Sequence, residues 1–424
     1  MTSQVVGGGT LALRMTRTLF VLCGRLPSLA VTAVLSLFRR GHDGRGRWLA
    51  DTLVALGPAY VKAAQLLSTR ADLLPPPVCR ALHRLYDRVR PVPPRTAAPM
   101  LRSRLGATGT RLVGAGSVAC VYRCVLPDGR EVAVKVRRPG VDRSLPADLA
   151  LFERGAALLA RLPWLRGVPV TEIVTRLTAS IRAQLDFRRE AESLDGFRAA
   201  LSSIAGVTVP AVDRELSTGD LLVMDFVAGL VRQGPGELDD AERGRAVVTA
   251  LRAVYRMLFL DGVVHCDLHP GNLYLRPGGT IVILDAGFTV RLTDEAREKF
   301  AAFFYCMSQG DGEACADIVL STAGDTPDAD RGAFRAGLAA LVTAHTGRRG
   351  GEFDLVSFAT RLFDLQRRHG FHADPQFVFP ILSLLVLEGT VREFHPDVDF
   401  QREAEPFLVT ALMERVLVTR GGAR

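Results

Sequence analysis

Two aspartates and one asparagine have the spacing of a centre for phosphoryl transfer. Asp267 precedes Asn272 by five positions in H-C-D-L-H-P-G-N, and Asp285 follows thirteen residues later, after the apolar run I-V-I-L. An aspartate can orient or deprotonate an acceptor hydroxyl, while a carboxylate and an amide oxygen are hard ligands that suit Mg²⁺. The pattern therefore predicts Asp267 as a catalytic residue and Asn272 and Asp285 as metal ligands.

Asn272 is the only asparagine among the 424 residues. The alternative role is a turn after Pro270 and Gly271, since asparagine is common in turns. Aspartate, serine and glycine are plentiful in this chain and serve turns as well, whereas few side chains replace a neutral amide. The composition therefore favours the metal-ligand interpretation.

The same stretch also suggests a zinc site, with ligands from His265, Cys266, Asp267 and His269. Residues this close together in a tight loop cannot all reach one tetrahedral ion, and no second pair of ligands is evident. The sequence therefore disfavours zinc here, and His265 is interpreted as bracing the loop.

A second group of residues is suited to bind a nucleotide. The loop G-A-G-S-V-A-C-V is rich in small residues, whose backbone amides can approach phosphates closely. Lys135, one of only three lysines, ends the apolar strand V-A-V-K, from which an ammonium group can reach phosphates. A solvated lysine at a strand end is the alternative. The predicted nucleotide-binding residues are Gly114, Ala115, Gly116, Ser117, Val121, Ala133, Lys135, Met224, Asp225 and Val227.

Glu190 is predicted to orient Lys135 through an ion pair and is counted with Lys135 and Asp267 as catalytic. The alternative is a surface glutamate beside Arg188 and Arg189. In L-L-V-M-D-F-V-A-G, Met224 is predicted behind an adenine base that pairs with backbone groups of Asp225 and Val227. The alternative is an apolar strand followed by a glycine turn.

The stretches that carry these candidate residues predict an α+β fold. A small antiparallel β lobe is followed by a larger helical lobe, with a cleft expected between the lobes. Two β-type runs about a P-D-G turn, and two more about P-G-G, predict strands. The proline-rich R-P-V-P-P-R is predicted as a linker. The predicted segments are an apolar and basic segment 1–48, a helical extension 49–108, an N-lobe 109–229 and a helical C-lobe 230–424.

The composition restricts compartment and partners. The net charge of +8 fits an acidic ligand or an anionic membrane, but no aromatic-interleaved basic patch indicates nucleic acid. The seven cysteines are scattered without a C-x-x-C pair, which is typical of reduced thiols in the cytoplasm. Arg25 and Pro27 interrupt the apolar segment 19–38, so a helix on the inner face of the cell membrane, or packed on the protein, is expected rather than a spanning one.

With these motifs in place, the sequence resembles the UbiB/AarF family of atypical, protein-kinase-like proteins, related to the coenzyme Q accessory kinases. The stretch Y-V-K-A-A-Q-L-L-S-T-R-A-D-L-L-P is similar to the family signature K-x-G-Q-x-x-S-x-R-x-D-x-L-P. The resemblance implies a kinase-like fold that binds ATP with Mg²⁺, and an extension that limits access of protein substrates. It therefore implies an ATPase or a kinase of small or lipid-like molecules, with quinone or isoprenoid biosynthetic proteins as partners. The matching residues are Lys62, Gln65, Ser68, Arg70, Asp72, Leu74 and Pro75.

The proposed regulatory contact of the extension departs from the family pattern at two positions, one in the extension and one in the predicted N-lobe. Ala64 replaces the glycine of K-x-G-Q, and Gln184 replaces the glutamate of E-x-D, which leaves Asp186 alone. The resemblance implies that this glutamate pairs with Lys62, so its loss predicts a loosened inhibitory contact. We therefore expect higher basal ATP hydrolysis or autophosphorylation than in relatives with an intact E-x-D.

Two loops also differ from the family. The alanine-rich A-A-A-S becomes Gly114 to Ser117, closer to an ordinary kinase phosphate loop, and D-F-G becomes Asp285-Ala286-Gly287, without an aromatic ring.

Two other functions share some of these features. A nucleotide-binding pseudokinase scaffold needs fewer of the intact catalytic residues, and an antibiotic phosphotransferase does not explain the extension.

Overall fold

A computed structural model describes residues 8–38, 44–68, 81–82, 91–161, 170–230, 237–268, 271–325, 328–345 and 354–421. The helices are α1 Gly8–Phe38, α2 Gly44–Leu56, α3 Pro58–Ser68, α4 Pro94–Leu105, α5 Val141–Leu159, α6 Val170–Ala183, α7 Phe187–Ala200, α8 Asp240–Tyr255, α9 Asp294–Gln309, α10 Gly312–Leu320, α11 Arg331–His345, α12 Leu355–Arg368, α13 Pro375–Phe394 and α14 Phe400–Gly421. The strands are β1 Thr108–Ala115, β2 Ala119–Val125, β3 Glu131–Arg137, β4 Val207–Thr208, β5 Leu221–Asp225, β6 Val263–His265, β7 Leu273–Arg276, β8 Thr280–Ile283, β9 Thr289–Arg291, β10 Gly324–Asp325 and β11 Phe371–His372.

These elements divide into two units. The first unit contains Met1–Arg189 and Val212–Phe226, and the second contains Glu190–Ala211 and Val227–Arg424. The predicted α+β class is confirmed. The unit boundary differs from the predicted segments, because Glu190–Ala211 groups with the second unit although it falls inside the predicted segment 109–229.

Four strands of the first unit form an antiparallel sheet in the order β1-β2-β3-β5. Side chains alternate between its faces, so Tyr122, Val134 and Val223, which lie opposite one another, are buried together on one face. Leu101 of α4 packs in the same cluster. The helix begins at Pro94, where the missing N–H of proline is tolerated, so its first two residues fall within the stretch R-P-V-P-P-R that is predicted as a linker.

Helices α2 and α3 of the extension share a small apolar cluster. Ala50, Val61, Ala64 and Leu82 form it, and only 3% of the surface of Ala64 is exposed. The methyl group that replaces the glycine of the family signature is therefore packed against apolar neighbours in this protein.

A buried ion pair attaches α1 to α5. The guanidinium of Arg14 donates from Nε to Oδ1 of Asp148 at 2.7 Å and makes a second, shorter bond to the other oxygen. Burial nevertheless raises the pKa of Asp148, against the lowering effect of Arg14. The hydroxyl groups of Thr18 and Tyr60 also bond, at 3.0 Å, so α3 contacts the same side of α1.

The second unit positions two short strand pairs among helices. β7 and β8 form an antiparallel hairpin, as the P-G-G turn predicts, and Gly278 and Gly279 both have positive φ there. β4 adds to β8 in parallel, and β6 pairs with β9 so that His265 lies opposite Thr289. These pairings bring the chain around His265 next to the chain that follows Asp285.

Candidate functional site

The glycine-rich loop connects β1 to β2 in the first unit. The backbone N–H of Gly116 donates to the carbonyl of Ala119 at 2.8 Å, which closes a tight turn. Arg138 holds this turn from outside, because its Nε donates to the carbonyl of Gly116 at 2.7 Å. Ser117 is buried, and its hydroxyl donates to Oε1 of Gln65 at 3.4 Å. A residue of the extension therefore contacts the loop that is predicted to bind phosphate.

Several predicted nucleotide-binding residues share one face of the first-unit sheet. Val121 lies opposite Lys135, and Ala133 lies opposite Met224. Because side chains alternate, these four lie on the face opposite the apolar cluster of Tyr122. The side chain of Asp225 is exposed, consistent with a role for its backbone alone, and Val227 belongs to the second unit.

Lys135 is buried in the middle of this face. Only 9% of its surface is exposed, and its Nζ lies 5.5 Å from the centre of the Phe187 ring. An ammonium over an aromatic face is held by the negative face of the ring. This position disagrees with the alternative of a solvated lysine at a strand end. Glu190 lies in the second unit, so its ion pair with Lys135 stays a prediction.

The other residues predicted for the regulatory contact of the extension have different surroundings. Lys62 is half-buried on α3, while Nε2 of Gln184 is buried and makes no hydrogen bond within the described part of the chain. Asp186 accepts a hydrogen bond from the backbone N–H of Arg188 at 3.2 Å, which caps the start of α7. The side chain of Ser68, and the signature residues Arg70, Asp72, Leu74 and Pro75, lie outside the described residues.

In the second unit, Asn272 is bonded directly to the loop that carries Asp267. Its Nδ2 donates to the backbone carbonyl of Asp267 at 2.8 Å, and only 7% of its surface is exposed. The amide nitrogen is thereby engaged, and Oδ1 remains for another partner. The backbone carbonyl of Asn272 also accepts from the N–H of Leu284 at 2.8 Å, which joins this loop to the residue before Asp285.

Asp285 has the only positive φ, 52°, among the described residues other than glycine. Such a backbone is strained for a side chain with a β-carbon and is common at functional sites. Its Oδ1 accepts from the backbone N–H of Gly287 at 3.0 Å. A β-carbon at Gly287 would lie 3.0 Å from that oxygen and 3.4 Å from Oε2 of Glu190. The small glycine therefore lets two carboxylates approach one turn.

These donors fit a hard cation. The second unit offers an amide oxygen from Asn272 and carboxylates from Asp285 and the buried Glu190, and oxygen donors of this kind suit Mg²⁺. Within the described ranges, no group of three or more His, Cys, Asp or Glu side chains could hold a metal ion. A cation at this place would therefore need further ligands besides these side chains.

His265 and Cys266 are both fully enclosed beside this loop. Burial lowers the pKa of His265, which keeps the imidazole neutral, and its Nδ1 accepts from the backbone N–H of Asp267 at 3.2 Å. Burial raises the pKa of the Cys266 thiol, so it stays protonated and is a poor metal ligand. His269, the fourth residue of the zinc interpretation, lies outside the described residues.

The sequence comparison decides the family. A family model described as the ABC1 atypical kinase-like domain matches residues 85–319, more than half of the chain. The chain belongs to this family. Membership confirms the suspected UbiB-type relationship and supports a kinase-like phosphotransferase role.

Curated relatives agree with ABC1 membership. The chain is 28% identical over 396 residues to a probable protein kinase UbiB of Marinobacter nauticus, covering 90% of this chain and 72% of that protein. It is 32% identical over 292 residues to the uncharacterized protein slr0889 of Synechocystis, covering 64% of this chain and 72% of that protein. A second probable protein kinase UbiB, from Xanthomonas campestris, is 28% identical over 88% of this chain and 71% of its own length.

A solved structure supports the ABC1 fold as well. The structure of the Rv3197–erythromycin complex from Mycobacterium tuberculosis matches with a TM-score of 0.52 and 20% identity, over 88% of this chain and 97% of that chain. At this identity the likeness concerns the fold alone. Together with the family match, it confirms the predicted kinase-like α+β fold.

Three contacts in this ABC1 chain were not predicted from the sequence. Arg138 lies three residues after Lys135 and holds Gly116, and Phe197 lies seven residues after Glu190 and stacks on His265. Their spacing from predicted residues is a signal that could have found them, since seven residues are about two helical turns. Ser383, whose hydroxyl donates to the carbonyl of His265 at 2.7 Å, has no such signal.

Proposed function

We propose that this protein is an atypical kinase or ATPase that acts on Mg²⁺-ATP. The observation that carries the proposal is the hydrogen bond from Asn272 to the carbonyl of Asp267, which sets an amide oxygen and a catalytic carboxylate in one fixed loop. The strained Asp285 supports it, because a positive φ at a side chain with a β-carbon is maintained only where the surroundings demand it.

The first unit is assigned to the nucleotide itself. The face formed by Val121, Ala133 and Met224 offers an apolar surface for adenine, and Asp225 offers backbone groups to the base. Lys135, on the same face, is assigned to the phosphates. Backbone amides of the glycine-rich loop are assigned to the same phosphates, as in other phosphate-binding loops.

The second unit is assigned to the metal and the acceptor. Asn272 and Asp285 hold Mg²⁺, which when bound offsets negative charge on the phosphates. Asp267 orients an acceptor hydroxyl or a water molecule and takes its proton as the new bond to the γ-phosphorus forms and the bond from that phosphorus to the bridging oxygen breaks, so that ADP leaves with the electron pair. The neutral His265 fixes the backbone of Asp267 through its Nδ1, so the carboxylate is presented in one direction.

The proposed acceptor is a small or lipid-like molecule in quinone or other isoprenoid-lipid biosynthesis, rather than a protein. Support comes from the contact between Gln65 of the extension and Ser117 of the glycine-rich loop. A helix placed on that loop leaves less space for a folded protein substrate. A comparison of lipids between a deletion strain and a strain carrying Asp285→Asn tests this acceptor class, since both should accumulate the same precursor.

Substitution of Asp267 separates an enzyme from a nucleotide-binding scaffold. Asp267→Asn keeps the shape of the side chain but removes its capacity to accept a proton. We expect ATP binding to be retained and hydrolysis to fall about 100- to 10,000-fold, the usual contribution of a general base. Asp240→Asn, in the exposed first turn of α8, is the matched control. Full complementation of a deletion strain by Asp267→Asn would favour the scaffold.

The outer side of α1 is proposed to lie on an anionic membrane surface. Leu13 is 70% exposed and Phe20 is 79% exposed, and Met15, Leu19 and Leu22 beside them are also exposed. No acidic residue occurs in α1, and the opposite side of the helix is attached to the protein through Arg14. Among the helices that the structure describes, none is long and apolar enough to cross a membrane.

Binding to vesicles tests this surface. We expect the protein to sediment with vesicles of phosphatidylglycerol more than with phosphatidylcholine, because the exposed Arg17 adds attraction to anionic lipid. The double substitution Leu13→Ser with Phe20→Ser should abolish sedimentation. Val356→Ser, an exposed apolar residue on α12, is the control. Equal sedimentation of all three proteins would contradict a role for α1.

A further inference from the structure

The D-A-G motif that carries the proposed metal ligand has no aromatic ring at its middle position, and the ring of Phe288, which follows the motif, packs edge-on against Phe379. In kinases, packing of the phenylalanine in D-F-G distinguishes active from inactive states. Here the middle residue is Ala286, which is 2% exposed and contributes only a methyl group. Aromatic support at this position of the motif therefore has to come from another residue of the second unit.

An aromatic ring is supplied instead by α7. The ring of Phe197 stacks on the imidazole of His265, with 5.5 Å between centres and an angle of 24° between planes. Both residues are almost completely buried, with 0% and 1% of their surfaces exposed. Neither ring can rotate without displacing its neighbours, since protein interiors are closely packed.

His265 joins the two segments that carry the proposed catalytic groups. Its Nδ1 accepts from the N–H of Asp267 at 3.2 Å, and its Nε2 lies 3.4 Å from the carbonyl of Leu284, directly before Asp285. Its own carbonyl accepts from the hydroxyl of Ser383 at 2.7 Å. A change in the plane of the imidazole would therefore disturb both segments together.

The same helix also presents Glu190 to the D-A-G turn. Phe197 follows Glu190 by seven residues, so both lie on one side of α7, and Oε2 of Glu190 would lie 3.4 Å from a β-carbon at Gly287. One helix thus supports the metal segment through a carboxylate and the catalytic loop through a ring.

We propose that Phe197 is a positioning residue: by stacking on His265 it fixes the backbone of Asp267 and of Leu284, and it replaces the aromatic support that Ala286 cannot give. The proposal rests on the proposed function for its catalytic consequence. The ring contact itself is a separate statement about the second unit, and it can be tested without nucleotide.

The test compares two ringless variants with a matched control. Phe197→Leu and Phe197→Met keep an apolar side chain but remove the ring. Phe334→Leu is the control, because Phe334 is equally buried and its ring packs against that of Phe371, with 5.0 Å between centres and an angle of 50° between planes. Thermal unfolding identifies which variants fold, and two different replacements guard against one that does not.

Hydrogen exchange without nucleotide is the first measurement. We expect faster exchange of the N–H groups of Asp267 and Leu284 in the Phe197 variants than in the wild type and in Phe334→Leu. The second measurement is the kinetics of ATP hydrolysis. Loss of a supporting contact near a metal centre typically costs about 10- to 100-fold. We expect kcat to fall to that extent, the Mg²⁺ concentration for half-maximal rate to rise, and KM for ATP to change less than kcat.

The outcomes separate the two claims. Unchanged exchange in both Phe197 variants, or an equal effect of Phe334→Leu on exchange and kcat, would overturn the positioning role. A wild-type protein that neither binds nor hydrolyses Mg²⁺-ATP would contradict the proposed function instead. In that case the exchange measurement still decides whether Phe197 holds the two segments.

Discussion

The side-chain amide of Asn272 donates to the backbone carbonyl of Asp267 at 2.8 Å, so the only asparagine of the chain joins the two ends of the proposed catalytic loop. An aspartate at this position would keep an oxygen ligand but could not donate this hydrogen bond. It would also place a negative charge against a carbonyl oxygen. Asn272 is therefore suited both to supply an oxygen ligand and to donate this hydrogen bond, whereas a residue that only forms a turn needs neither.

Substitution of Asn272 should weaken the metal site in two distinguishable ways. Asn272→Ala removes both the ligand and the bond, and we expect Mg²⁺ affinity measured in the presence of ATP to fall about 10- to 100-fold. Asn272→Asp should lose less affinity but should unfold at a lower temperature than the wild type. Titration of Mg²⁺ against ATP hydrolysis, together with thermal unfolding, measures both. Wild-type behaviour of Asn272→Asp would mean that the bond to Asp267 has no role.

Gln184 should set the level of basal hydrolysis. Its Nε2 is buried without a hydrogen bond in the described structure, at the position where the family carries glutamate. The carboxylate of Gln184→Glu restores the negative charge that, by the family resemblance, forms an ion pair with Lys62. We expect this variant to hydrolyse ATP more slowly than the wild type without effector. Arg182→Gln, an exposed residue in the last turn of α6 two positions before Gln184, serves as a control. Equal or faster turnover in Gln184→Glu would reject a loosened contact.

Gly312 should not tolerate a methyl group. A β-carbon there would lie 2.5 Å from Cα and 2.8 Å from the carbonyl oxygen of Ala339, both backbone atoms of α11. We expect Gly312→Ala to destabilise the second unit by about 1–3 kcal/mol through overpacking. Gly389→Ala is the matched control, because nothing lies within 4 Å and α13 should gain up to about 1 kcal/mol. Urea unfolding of both variants gives the comparison, and equal stabilities would show that α10 and α11 can separate at no cost.

Stability should fall in mild acid because of His265. Burial lowers its pKa in the folded protein below the usual 6.5, so the unfolded chain binds a proton first as the pH falls. The free energy of unfolding should therefore be independent of this group above about pH 6.5 and decrease below it, by at most about 1.4 kcal/mol per pH unit for one proton. The measurement is urea unfolding between pH 8 and pH 5, with His265→Gln as the variant that lacks the titrating ring. An identical pH slope in both proteins would contradict a buried neutral imidazole.

The parts of the fold around the candidate site that depend on local pattern follow from the sequence. Alternation along strands accounts for the shared face of Val121, Ala133, Lys135 and Met224, since each strand repeats with a period of two. The P-G-G hairpin between β7 and β8 follows from turn chemistry in the same way.

Contacts between distant positions could not be predicted in this way. Gln65 meets Ser117 across 52 residues, and Ser383 meets His265 across 118. Such pairs depend on how helices pack, which no local spacing encodes. The grouping of Glu190–Ala211 with the second unit has the same origin, because α7 follows β3 of the first unit in sequence but its Phe197 stacks on His265 of the second unit.

The central claim, that the second unit holds Mg²⁺ for a bound nucleotide, is tested most directly by calorimetric titration of ATP with and without Mg²⁺. The wild type and Asp294→Asn, whose side chain is exposed on α9, should bind ATP more tightly with Mg²⁺ than in EDTA. Asp285→Asn should lose about 10- to 100-fold of the affinity measured with Mg²⁺ and none of that measured in EDTA. Equal affinity of the wild type with and without Mg²⁺, or an Asp285→Asn variant that binds Mg²⁺-ATP as tightly as the wild type, would contradict the account.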